Sequence, residues 1–200
     1  GGAFAHGLEI ARRSFYEASN SESEARRDGL QALMKFYGPI VAPATRSGDK
    51  SLENVIRAFD SYMERYKLGV DPIKPFMVNG KAMVEFSFAI PTELKHPQSG
   101  DPILYGGRSD MIGVMNDALW VTDEKTASQL GETWASQFDL DSQFTGYVAA
   151  AHSYGYPVAG ALIRGVGLLK TKITHSEVML NRSSWMIERW WQQLHRDLKR

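Results

Sequence analysis

Two periodicities divide the chain. In "AFAHGLEIARRSFYEA" the apolar positions Phe4, Leu8 and Phe15 recur at helical spacing, so the sequence opens on an amphipathic helix already under way. That abrupt start suggests residues missing upstream. "SNSESEARRDG" is polar throughout and is expected to be mobile, and "GPIVAPATRSGDK" reads as a Pro/Gly-punctuated loop. Ser51 is a candidate N-cap for a helix running to about Lys67. Its apolar side carries Leu52, Val55, Ile56, Phe59, Tyr62, Met63 and Tyr66.

After "GVDPIKP" the period changes to two. Val84, Phe86 and Phe88 alternate with Met83, Glu85 and Ser87, which predicts a strand. Gly106 and Gly107 open a second strand through Met111 to Val114; "MND" turns; Leu119 to Thr126 returns. "DSQFTGYVAAAHSYG" predicts a helix, "PVAGALIRGVGLLKTK" a strand region, and "SSWMIERWWQQLHRDLK" a closing helix. This order implies an α/β fold with a central mixed β-sheet flanked by helices, rather than a doubly wound parallel sheet. One domain over residues 1–200 is expected, with a helical part over about 1–70 and an α/β core over about 75–200.

Composition narrows the chemistry. The absence of cysteine excludes disulfides, thiol nucleophiles and thiolate-held zinc or iron–sulfur centres within these residues. Nothing reads as a membrane span or signal peptide, so a soluble, intracellular protein is expected. Basic and acidic residues balance at 23 each, yet their distribution is uneven. Residues 101–141 hold eight acids against two bases, and residues 163–200 hold eight bases against three acids. An acidic middle beside a basic end permits a metal site next to a phosphate-binding surface.

The strands carry the candidate chemistry. Side chains two apart in a strand share a face, so Asp123 and Lys125 project together with Leu119 and Val121, while Glu124 points the other way. If Ala118 to Val121 pairs with Ile112 to Met115, Asp110 lies beside Asp123. Two converging carboxylates make a hard oxygen site suited to Mg²⁺ or Mn²⁺, with the lysine held protonated beside them. The plainer reading of an isolated D-x-K is a solvated ion pair. Three further features weigh against it. Glu85 interrupts an apolar strand, Gln143 and Tyr147 share one helix face at i and i+4, and His6 lies among small residues.

In order, "GGAFAHGLE" with His6, the strand Glu85, Gly107 to Asp110, Asp123 to Thr126 and Gln143 to Tyr147 resemble the PD-(D/E)XK nuclease superfamily. The likeness is to its RecB-like exonuclease branch and covers residue 2 to roughly residue 172. It implies a restriction-endonuclease-like core in which His6, Asp110, Asp123 and the Glu124 backbone carbonyl hold Mg²⁺ or Mn²⁺. Lys125 would position the attacking water. Glu85 would support the site or a second metal, and Gln143 with Tyr147 would orient Lys125 or contact DNA.

The implied activity is a deoxyribonuclease, foremost an exonuclease acting on single- or double-stranded DNA ends in recombination, repair or phage DNA metabolism. A helicase or recombinase is a candidate partner, no membrane is involved, and the setting is the cytoplasm of a bacterial or phage-infected cell. The alternatives are a non-catalytic nucleic-acid-binding scaffold of the same fold and a sequence-specific endonuclease. Two departures stand out: Glu124 occupies a middle position that is often apolar in the family, and the terminal cysteines of the cluster-bearing relatives are absent.

Outside these motifs, "GVGLLK" lacks the spacing of a phosphate loop and reads as closely packed strand; Lys170 and Lys172 share a face that is solvated or touches phosphate. The closing helix carries Trp185, Trp190 and Trp191 with Arg189, Arg196, Lys199 and Arg200. Tryptophan with arginine can stack bases, but Ile187, Trp190 or Trp191, Leu194 and Leu198 at helical spacing favour docking on the core. His96, His152, His175 and His195 lack metal-ligand spacing and are assigned no role.

Overall fold

Helical spacing of the buried residues fixes the first layer. In α1 (Gly2–Tyr16) the buried set Phe4, Gly7, Leu8, Ala11 and Arg12 follows the i, i+3, i+4, i+7, i+8 pattern, and α3 (Leu52–Arg65) repeats it with Val55, Ala58, Phe59, Tyr62 and Met63. Ser51 caps α3, its side chain accepting from the Asn54 amide. A computed structural model describes residues 1–40, 51–169 and 171–199. The loop expected from Gly38 begins later, since residues 38–40 complete a helix; its remainder, like Lys170, lies outside the described residues.

The polar stretch expected to be mobile is instead the start of that helix, α2 (Glu22–Ile40). Ser21 and Glu24 form a reciprocal cap: Ser21 Oγ accepts from the Glu24 amide at 3.3 Å, and Glu24 accepts from the Ser21 amide at 2.9 Å. Ala25 and Leu33 bury the helix against α1 and α3.

The sheet runs β1 (Lys74–Pro75), β5 (Pro102–Met115), β6 (Ala118–Ala127), β7 (Val158–Leu168) and β8 (Ile173–Asn181), with β4 (Val84–Lys95) also paired to β5. Met77–Val78 and Lys81–Ala82, β2 and β3, form a small separate ribbon. The β4–β5–β6 meander is antiparallel, β6 and β7 are parallel, and β7–β8 is antiparallel, so the sheet is mixed. Ile112 pairs with Val121 and Met115 with Ala118, the expected register. β8 is an addition to the predicted order. The parallel step needs a crossover, supplied by α4 (Glu132–Ser136) and α5 (Ser142–Ser153). β7 is buried along nearly its whole length, as a strand covered on both faces must be.

α1 to α3 cover one face of the sheet, burying Val166 and Leu168 of β7. α5 covers the other, with Phe144, Tyr147 and Val148 against Phe86, Phe88, Ile112, Val121 and Ile163. α6 (Ser184–Leu198) lies outside α5, with Ile187 and Trp191 touching that core. One residue breaks the regularity. Glu85 has φ +56°, and on either side of it β4 enters different cores: Val84 packs with Met111 and Trp120, Phe86 with Ile112 and Val121. In a regular strand those two side chains would share a face. A left-handed glutamate costs about 1–2 kcal/mol, and such residues concentrate at functional sites.

Candidate active site

β5 and β6 bring Asp110 and Asp123 together. Continuing the register from Met111↔Thr122 places them directly opposite one another, where side chains share a face. Asp123 is buried, and its Oδ2 lies 2.7 Å from Lys125 Nζ without receiving a well-directed hydrogen bond. Lys125 is two-thirds covered and reaches over the Phe144 ring of α5 at 5.5 Å. From the same helix, Gln143 Nε2 donates to the Tyr147 hydroxyl at 2.7 Å, and that phenol interacts electrostatically with Lys125, Asp123 and Asp110. The alternation in β6 therefore does what strand geometry requires, and the amide and phenol of α5 stand over its charged end.

Burial drives the electrostatics. It pushes Asp110 up to about 8, reinforced by the nearby negative charge of Glu124 and Asp123. Asp123 is also raised by burial, with Lys125 opposing the shift. Burial disfavours the Lys125 ammonium, yet Asp123 and Asp110 outweigh it and raise its affinity for the proton. Tyr147 is raised by burial and by the two aspartates, against the opposing hydrogen bond from Gln143. The phenol thus stays neutral and the lysine charged.

Glu124 does point away from Lys125, but into the protein rather than to solvent. Arg12 of α1 forms a buried two-pronged ion pair with it, and the Tyr62 hydroxyl donates to it at 2.8 Å. Burial opposes ionisation of Glu124, but Arg12 and these hydrogen bonds win and hold it at about 2. Its backbone serves the site as well: the Glu124 amide donates to Asp110 Oδ2 at 2.7 Å. Arg12 and Tyr62 were not legible as partners, because 112 and 62 residues separate them from Glu124.

His6 stands apart from the expected metal set, while Glu85 is turned inward among charges of its own. His6 contacts Glu9, Nδ1 to Oε2 at 3.2 Å, and the Phe36 ring at 5.3 Å. Among the described residues no three His, Asp or Glu side chains gather as a metal cluster, so the set His6, Asp110 and Asp123 is not assembled here. Glu85 is turned inward with 13% side-chain exposure, and Arg108 Nε approaches its Oε2 to 2.6 Å without a well-directed hydrogen bond. Burial raises Glu85, against Arg108, and Glu9 adds to the rise while Arg13 opposes it. Glu9 and Arg13, one helical turn apart and ion-paired at 3.1 Å, belong to this neighbourhood. Their i, i+4 spacing was the available signal.

The donor set suits a small hard cation. Asp123 carries a buried carboxylate oxygen without a well-directed donor, and Glu85 carries another in a separate neighbourhood of Arg108, Glu9, Arg13 and Glu124. Asp110 and Asp123 face each other at like-charge cost. Mg²⁺ is commonly held by one or two carboxylates with waters and substrate phosphate completing the shell, so a third protein ligand is not required.

No family model matches the chain, and no curated protein matches it. A solved structure described as the crystal structure of SSO0001 aligns over 94% of this chain and 72% of its own. It is 14% identical, with a TM-score of 0.38, a likeness too slight to carry an argument.

Proposed function

We propose that this chain is a Mg²⁺- or Mn²⁺-dependent deoxyribonuclease that hydrolyses DNA phosphodiesters, foremost as an exonuclease on DNA ends in recombination, repair or phage DNA metabolism inside the cell. The observation that carries the reading is the convergence of Asp110, Asp123 and Lys125 at the end of β6 beneath the Gln143–Tyr147 pair. Asp110 and Asp123 would hold the ion, which when bound activates water and offsets charge on the phosphate. Lys125, kept protonated chiefly by Asp123, would orient that water or stabilise the developing phosphate charge. Tyr147 and Gln143 fix the lysine's surroundings and offer a neutral donor toward a DNA backbone. Glu85 supports the carboxylate side of the site.

The test is cleavage of linear and circular DNA with Mg²⁺ or Mn²⁺, comparing wild type with Asp123→Ala and Lys125→Ala. Each variant should lose on the order of a hundredfold or more in rate. Equal cutting by wild type and both variants sinks the reading. Cutting of circular DNA at fixed sequences would assign an endonuclease. Absence of cutting together with absence of Asp123-dependent metal binding would assign a scaffold.

A further inference from the structure

The closing helix α6 has two faces, and only the inner one is explained by packing. Ile187 and Trp191 touch the α5 core; Trp190 lies against Tyr105, and its indole N–H donates to Ser142 Oγ at 2.7 Å. At 100° per residue, Trp185, Arg189, Gln192, Arg196 and Lys199 fall within about 80° of one another on the opposite side. All five are exposed, and Trp185 is 66% exposed, the most exposed aromatic side chain among the described residues with large exposed apolar groups. The Arg189 guanidinium sits 5.9 Å from the Trp185 ring centroid.

The cations of this stripe stand out by their grouping, since Lys74, Lys81, Lys95 and Lys172 also have no ion pair among the described residues but lie scattered. Arg12, Arg13, Arg26, Arg27, Arg108 and Arg164 are all ion-paired. Among the described residues, Arg189, Arg196 and Lys199 have no carboxylate within ion-pairing distance; Arg196 donates only to the Gln193 side chain, at 2.7 Å. Three unpaired cations and a bare indole along about 21 Å of helix match an anionic strand with exposed flat rings. The anchor to Ser142 ties this helix to α5, one residue from Gln143 of the candidate site.

We infer that the outer stripe of α6, Trp185 with Arg189, Arg196 and Lys199, binds single-stranded DNA and guides it to or from the site on β6 and α5. Phosphates engage the cations and a base stacks on Trp185. The stripe is a binding surface in its own right and rests on the nuclease reading only for its route to that site.

The experiment is fluorescence anisotropy of a labelled twelve-nucleotide oligo-dT on the full chain in EDTA, where no cleavage occurs. Trp185→Ala should weaken binding about tenfold, and Trp185→Phe should restore most of it. Replacing Arg189, Arg196 and Lys199 by Gln together should lower the slope of log K against log[salt] by about 2. Circular dichroism confirms folding, which these exposed positions should not disturb.

Unchanged oligo-dT affinity in both Trp185→Ala and the triple variant overturns the inference. So does wild type that ignores oligo-dT and binds anionic phosphatidylserine vesicles or duplex DNA through the same residues. Stripe-dependent binding without metal-dependent cleavage would leave this surface standing and remove the nuclease reading. Cleavage with stripe-independent binding would do the reverse.

Discussion

At Asp110 a hydrogen bond and two charges pull in opposite directions. The Glu124 amide favours the carboxylate, but burial and the neighbouring Glu124 and Asp123 disfavour it more strongly, and the proton is held up to about pH 8. A folded-state pKa raised above the unfolded value stabilises the fold at low pH, and that contribution is lost as pH rises through the folded value. The metal-free protein should therefore lose stability between about pH 4 and pH 8 from this site. Asp110→Asn mimics the protonated acid and keeps an oxygen for the Glu124 amide. Its melting temperature in EDTA should exceed wild type by a margin that widens steadily from pH 5 to pH 8.5. A margin that stays flat across that range refutes the raised proton affinity. The sequence displayed Asp110, Asp123 and Lys125 because strand alternation is local. It could not display the partner of Glu124, since Arg12 reaches it only through the packing of α1 on the sheet.

At the scale of elements, α2 shows how a polar run becomes a helix. Ser21 and Glu24 cap its start, but the decisive contact is tertiary: Gly29 lies against Gly7 of α1. A Cβ at Gly29 would meet the Gly7 carbonyl oxygen at 2.6 Å, Ala11 Cβ at 2.8 Å and Phe59 Cζ at 2.8 Å. Gly29→Ala gains about 1 kcal/mol of helix propensity. The backbone oxygen cannot rotate away, so α1 and α2 must separate, at an overpacking cost of about 1–3 kcal/mol. Urea denaturation should show a net loss for Gly29→Ala, and a gain would mean that the two helices do not approach so closely. That loss should exceed the effect of Gly131→Ala, where a Cβ meets nothing within 4 Å. α3 and β4 were legible because one face of each is consistently apolar, and α5 because a long apolar run follows its Asp141 cap. α2 and β8 were not: the former reads as a charged loop without its partner, and β8 alternates weakly, with only Leu180 fully buried.

Across the whole molecule, the fold is coupled to the site through buried charge. Arg12 and Tyr62 hold Glu124, Tyr62 accepts from Arg164 at 3.4 Å, and Arg164 grips Asp71 with two hydrogen bonds and Glu177 with one. Arg164 also stacks on Tyr66 at 3.9 Å. This network joins α1, α3, β6, β7 and β8 behind the strand that carries Asp123 and Lys125, and it leaves Glu124 fully compensated. Asp110 and Asp123 share a single lysine, so the acidic middle of the chain retains an uncompensated pair on the α5 side. A divalent ion between them would stabilise the native state alone, by RT ln(1 + [L]/Kd), or about 1.4 kcal/mol at tenfold excess over Kd. For a chain of this size that corresponds to a rise of about 3–5 °C in melting temperature. The rise should appear with Mg²⁺ or Mn²⁺ at matched ionic strength, and it should be larger at pH 8 than at pH 6, because the ion must displace the proton that burial holds on Asp110. Asp110→Asn combined with Asp123→Asn should abolish it, while Glu85→Gln should retain most of it. A shift of equal size in the double variant would locate the ion elsewhere, and one lost only in Glu85→Gln would move the centre toward Glu9 and Glu85.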